Sequence, residues 1–146
     1  MSASINPELT NVRRLQPLRV LLAGGDRRFM RVMSFLLARR GYNVALSSQR
    51  DTVEAAERHR SDIVLLEMGD SRVSAGRKVA ALQALSTMPT VFVVVDRGED
   101  SGWNGVWAIR KWMPIEELVR VIEAAALSRS APLAEAEFAD GDGSRL

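Results

Sequence analysis

The residues able to do chemistry in this chain collect where apolar runs end. The stretch "LRVLLAGGDRRFMRV" (18–32) sets Gly24, Gly25 and Asp26 between an apolar run and an arginine-rich one. A strand that feeds a helix through glycines offers backbone N–H groups to a phosphate, and Arg27 and Arg28 follow at once. The run has neither the G-x-G-x-x-G spacing nor the Walker A lysine, so a small-anion or nucleotide reading rests on that loop alone. Glu67 closes "DIVLLE", Asp70 follows in "MGD", and Lys111 follows "VWAIR". A single acid on a loop is a weak metal signal. His59 is the only histidine and cysteine is absent. A His-centred triad or His-rich metal site therefore has little to build on, and a thiolate nucleophile or thiolate metal site has nothing. These residues predict neither an enzyme nor a bound cofactor or metal.

The elements that must position these residues alternate between two periods. "RVLLA" (19–23) is a short apolar run suited to a strand buried on both faces. Phe29, Val32, Met33, Leu36 and Leu37 then recur at helical spacing, and Gly41 ends that helix. "YNVAL" (42–46) predicts a second strand. Ser48, three residues before Asp51, resembles a helix N-cap, with Val53, Ala56 and His59 turned inward. "DIVLLE" (62–67) predicts a third strand, and residues 74–85 a helix with Val79, Leu82 and Leu85 inward. "TVFVVV" (90–95) is strongly β-branched and predicts a central strand. "DRGEDSGWNG" (96–105) reads as loop. "VWAIRKW" (106–112) predicts a fifth strand, and Pro114 opens a last helix striped by Ile115, Leu118, Val119, Ile122, Ala125 and Ala126. Strands alternating with helices predict an α/β domain with a five-stranded parallel sheet, flavodoxin-like order 2-1-3-4-5, and helices on both faces.

The chain of 146 residues suits one domain, flanked here by an extension at 1–17 and a flexible acidic tail at 129–146. No apolar run approaches the ~20 residues that span a bilayer, and residues 1–16 lack the order of a signal peptide. A cytoplasmic protein is expected, without a membrane partner. Residues 11–60 carry eleven arginines against four acids, whereas 61–146 carry nine basic and thirteen acidic residues. A basic half can meet an acidic partner or simply be a solvated helix face. Nucleic acid is not an expected partner, since no reading element accompanies the charge.

The spacing of "RVLLAGGDRRF", "SDIVLLEMGD", "PTVFVVV" and "RKWMPIEELVRVI" resembles the receiver domain of bacterial two-component response regulators, over about residues 18–128. In that family two acids after the first strand help hold magnesium, and an aspartate after the third accepts the phosphoryl group. A Ser or Thr after the fourth strand and a Lys after the fifth bind phosphoryl oxygens. Carried over by position, the acidic pair falls on Gly24 and Gly25, and the phosphoacceptor on Glu67. The hydroxyl falls on Val94 or Val95 and the lysine on Lys111, with Trp112 where a proline usually follows.

Two glycines supply no carboxylate for a metal, and Asp26 stands one position late, where it suits a helix cap. The resemblance therefore implies a degenerate, or pseudo-, receiver in which Glu67 faces Lys111. Two readings stay open: an ion pair that fixes one state of the domain, or a glutamate solvated at the sheet rim. Only fifteen residues separate Val95 from Lys111. Receivers usually fit a whole helix and a strand in this interval, so the resemblance implies a fourth helix that is truncated or absent. Trp103, Trp107 and Trp112 cluster here, either plugging the gap or forming a partner surface. The expected function is a phosphorylation-independent signalling module with a protein partner, a homodimer being compatible. The alternatives are a receiver still phosphorylated or switched at Glu67 or a nearby acid, and an anion or nucleotide binder using the Gly24–Gly25 loop.

Overall fold

A computed structural model of the protein describes residues 16–69, 71–96 and 106–130. The extension expected at 1–17 and the tail at 129–146 lie almost wholly outside these residues, and Asp70, Trp103 and the expected loop after Asp96 lie outside them too. The chain divides into two compact units, Met1–Met113 and Pro114–Leu146.

The first unit holds the strands β1 (Arg19–Ala23), β2 (Asn43–Ser47), β3 (Ile63–Glu67), β4 (Thr90–Val95) and β5 (Trp107–Arg110). They form one parallel sheet in the order β2-β1-β3-β4-β5. Its helices are α1 (Arg27–Arg39), α2 (Thr52–His59) and α3 (Arg72–Gln83). Side chains alternate across a strand, so each inner strand buries two sets. Leu21, Ala23, Val64, Leu66, Val91, Val93 and Val95 pack with Ala55 and Ala56 of α2 and Val79 and Leu82 of α3. The alternate set, Val20, Leu22, Ile63, Leu65, Phe92 and Val94, is buried on the opposite face. There α1 brings its buried residues Phe29, Met30, Met33 and Leu37. Helices thus cover both faces, and burial of each Val, Leu or Ile stabilises by roughly 1.5–3 kcal/mol. This two-sided burial is why the inner strands are continuous apolar runs.

Some local expectations shift. Val32 was expected on the inward stripe of α1 but is 37 % exposed, while Met30 is buried in its stead. The helix turns ~100° per residue, and its sheet-facing stripe is centred between Phe29, Met30, Met33 and Leu37, which leaves Val32 on the flank. Ser48 does not cap α2. Asp51 is the cap residue and makes no side-chain cap bond; Ser48 Oγ instead accepts from Asp51 N at 3.3 Å, closing the turn before the helix. The α3 helix starts two residues ahead of the expected Ser74 because Ser71 caps it, accepting from Ser74 N at 3.1 Å.

The second unit contains α4 (Ile115–Ser130). Leu118 N donates to Pro114 O at 3.0 Å, so the proline opens the first turn. Glu116 and Glu117 sit in that turn, where negative charge suits the helix dipole. Among the described residues no helix is long and apolar enough to cross a membrane.

Candidate functional site at the carboxyl edge of the sheet

Three chain segments deliver charged side chains to the carboxyl edge. Asp26 leaves β1 and caps α1, its Oδ1 accepting from Phe29 N at 3.0 Å. Glu67 is the last residue of β3. Lys111 follows β5, and its N–H donates to Val95 O at 2.8 Å, prolonging the β4–β5 ladder by one bond. That bond brings the lysine stem to the rim beside β4.

The three charges close on one another. Lys111 Nζ lies 2.6 Å from Asp26 Oδ2 and 2.9 Å from Glu67 Oε2. The second Glu67 oxygen, Oε1, accepts from Asp26 N at 2.9 Å. Both oxygens of Glu67 are therefore engaged, and its side chain is only 12 % exposed. Its charge is held by partners rather than left to solvent at the rim. Asp96 Oδ1 stands 3.8 Å from the same ammonium but is 82 % exposed, so water and salt screen that pair. Lys111 Nζ also sits 5.3 Å from the centroid of the Phe29 ring.

Protonation follows from these contacts. The Lys111 hydrogen bond, then the Phe29 N–H, hold the Asp26 carboxyl below its usual value. Burial alone would pull Lys111 down, but the hydrogen bonds from Lys111 to Asp26 and Glu67 outweigh it and leave the ammonium above its ordinary value. Both shifts favour the charged forms, an Asp26 carboxylate against a Lys111 ammonium.

The two glycines play different parts. A β-carbon on Gly24 would overlap the Glu67 carboxylate, standing 2.7 Å from both Cγ and Cδ of that side chain. Gly24 thus leaves the floor on which the glutamate rests. At Gly25 a β-carbon would meet nothing within 4 Å. The loop N–H groups are largely taken, Gly24 N by Ser47 O at 3.2 Å and Asp26 N by Glu67. An anion arriving at the loop would face the Glu67 carboxylate.

Val94 is the strand neighbour of Glu67 in the β3–β4 register, and Val95 packs into the core on the α2 and α3 side. Neither brings a hydroxyl to the cluster. Trp112 follows Lys111 in the left-handed region, at φ 65°. Its ring meets Phe29 edge-on, with centroids 5.1 Å apart, and it remains 49 % exposed. Trp107 meets Phe92 edge-on at 6.0 Å and is 55 % exposed on edge strand β5. Each tryptophan thus packs one side of its ring and presents the other.

Two participants gave no sequence signal. Gln49 Nε2 donates to Glu67 O at 3.4 Å, across the space above Gly69. Phe29 links Lys111 to Trp112, although its spacing marks it only as an inward helix residue. His59 lies apart, at the end of α2, with Nδ1 3.0 Å from Ser61 Oγ and Nε2 3.2 Å from Asn43 Oδ1. Burial, then the Arg19 charge, lowers its pKa against the opposing pull of Asp62. Among the described residues no group of three or more His, Cys, Asp or Glu is placed to hold a metal ion.

No family model matches the chain, and no curated protein does. Solved structures do. The CheY-like response regulator receiver domain from Methanospirillum hungatei JF-1 is 15 % identical at TM-score 0.69, over 80 % of this chain and 99 % of that one. That from Methylobacillus flagellatus is 17 % identical at TM-score 0.65, over 75 % and 98 %. The CheX–CheY–BeF3–Mg complex of Borrelia burgdorferi contributes a match of 13 % identity at TM-score 0.65, over 75 % and 90 %. The order β2-β1-β3-β4-β5 with its covering helices is the same flavodoxin-like arrangement. In fold, this chain carries a receiver-like domain of the CheY type.

Proposed function

We propose that this protein is a pseudo-receiver: a phosphorylation-independent signalling module, spanning about residues 18–128, that binds a protein partner and catalyses nothing. One observation carries the reading. The Glu67 carboxylate lies over Gly24, tied to Asp26 N and Lys111 Nζ. The residues present do not fit a magnesium site. Gly24 and Gly25 bring no oxygen side chains, and the carboxylates of Glu67 and Asp26 are already bound to an ammonium. A phosphoryl donor would find the Glu67 oxygens occupied and would have to displace Lys111 to reach them. The ion pair instead gives the domain one standing state, which a partner reads without a chemical trigger. Protein binding is in keeping with the fold, since the similar CheY of Borrelia burgdorferi is seen in complex with CheX.

Incubation with magnesium and either acetyl phosphate or beryllofluoride tests this directly. Mass spectrometry is expected to record no added phosphoryl group, and amide shifts around Glu67 are expected to stay in place. A phosphoryl adduct, or shifts centred on Glu67, would establish the receiver that is still switched. Glu67→Gln addresses the ion pair separately: partner binding that is indifferent to the change removes the standing-state argument.

A further inference from the structure

The outer face of α1 combines basic and apolar side chains and carries no acid. Between Arg27 and Arg40 the sequence carries five arginines and no acid. Arg28, Arg31, Val32, Phe35 and Arg39 recur at the three- and four-residue spacing that places them on one exposed stripe. In its middle Val32 is 37 % and Phe35 59 % exposed. The Arg39 guanidinium lies 5.7 Å from the Phe35 ring centroid, holding one cation beside the apolar centre. The neighbouring edge strand adds to this. Leu46 pairs with Leu22, so its side chain points to the face that α1 covers, and it is 51 % exposed. An apolar centre ringed by arginine has the make-up of a protein interface rather than of a merely solvated face.

We infer that the α1 face, with Leu46 beside it, docks an acidic segment of a partner protein that carries an aromatic or aliphatic anchor. Charge decides the first half of that chemistry: the four cations of α1, Arg27, Arg28, Arg31 and Arg39, with no acid within the helix, call for carboxylates, which guanidinium groups bind in a bidentate fork. The apolar centre decides the second half. A phosphate backbone gains nothing from Val32 and Phe35, whereas a peptide side chain buries them. The surface is separate from the Glu67 cluster, so it stands whether or not the ion pair holds the domain in one state.

The test is fluorescence anisotropy of the full chain against a labelled glutamate-rich peptide bearing one phenylalanine and one leucine four residues apart. The same peptide with both anchors changed to serine, a DNA duplex, and phosphatidylglycerol vesicles run beside it. Phe35→Ser and Arg31→Glu, both at exposed positions, are each expected to weaken peptide binding about tenfold, and Arg58→Glu on α2 to leave it unchanged. Serine for the anchors is expected to weaken binding as much as Phe35→Ser does. No binding, or binding unaffected by Phe35→Ser and by loss of the anchors, overturns the proposal. Tighter binding to DNA or to the vesicles does so as well, assigning the face to nucleic acid or to an anionic membrane.

Discussion

Gly24→Ala probes the cluster at its foundation. A methyl group there would lie inside the present volume of the Glu67 carboxylate. The colliding atoms are the far end of a flexible side chain, so the overlap itself is relieved by rotating Glu67 outward. The cost is what the glutamate leaves behind. Asp26 N loses its acceptor at 2.9 Å, and Lys111 loses one of its two close carboxylates. An orphaned, partly buried donor costs about 1–3 kcal/mol, against which alanine recovers about 0.4–1 kcal/mol by restricting the unfolded chain. The net is a loss of about 1–2 kcal/mol, or a fall of roughly 4–8 °C in Tm for a domain of this size. Gly25→Ala meets open space and an ordinary backbone, so it should be neutral or slightly stabilising. The discriminating assay is a double-mutant cycle read by urea unfolding. In a Glu67→Ala background the Gly24→Ala penalty should vanish. Equal losses in both backgrounds, or a Gly25→Ala variant as weak as Gly24→Ala, would refute the reasoning.

Other outcomes follow from the same contacts. Lys111→Met leaves Glu67, 12 % exposed, without its cation, and should destabilise by about 3 kcal/mol in urea titrations. The cluster's own contribution to the pH profile should be flat around neutrality, whereas His59, with its lowered folded pKa, takes stability away as pH falls through the ordinary histidine value. Asp26 has a depressed folded pKa, so its contribution is complete above the ordinary carboxylate range and is lost as pH falls through the folded value. Lys111 is raised, so its contribution is complete below the ordinary lysine value and is lost as pH climbs through the folded one. Asp26→Asn should therefore shallow the acid limb of a Tm-against-pH curve and, because Asp26 also helps hold Lys111 protonated, soften the alkaline limb as well. At position 112 the φ of 65° disfavours any β-carbon. Trp112→Ala loses the ring contact and keeps the strain, so Trp112→Gly should unfold at higher urea, by about 1 kcal/mol of stability.

Much of the fold is legible along the chain because its causes are local or periodic. A strand buried on both faces must be apolar throughout, and "VLLA", "IVLL" and "VFVVV" declare themselves so without reference to neighbours. Asp26 is readable as a cap because capping reaches only three residues ahead. Boundaries and helix faces are less legible. The exposed side of Val32 depends on where the sheet lies beneath α1, and the start of α3 on which of two serines caps it.

The sequence by itself determined that a parallel α/β sheet would form, that its first strand would end in two glycines, and that a glutamate and a lysine would end two others. Only the tertiary structure decided that these belong together. Gly24 and Glu67 share one volume because β1 and β3 are adjacent and in register, with Ala23 beside Leu66. Lys111 reaches both carboxylates because β5 lies beside β4 at the same edge. Strand order and register set which residues meet, and both are properties of the whole sheet, carried by no single segment. The glycine at 24, an absence of side chain in the sequence, becomes in the fold the space that a distant carboxylate needs.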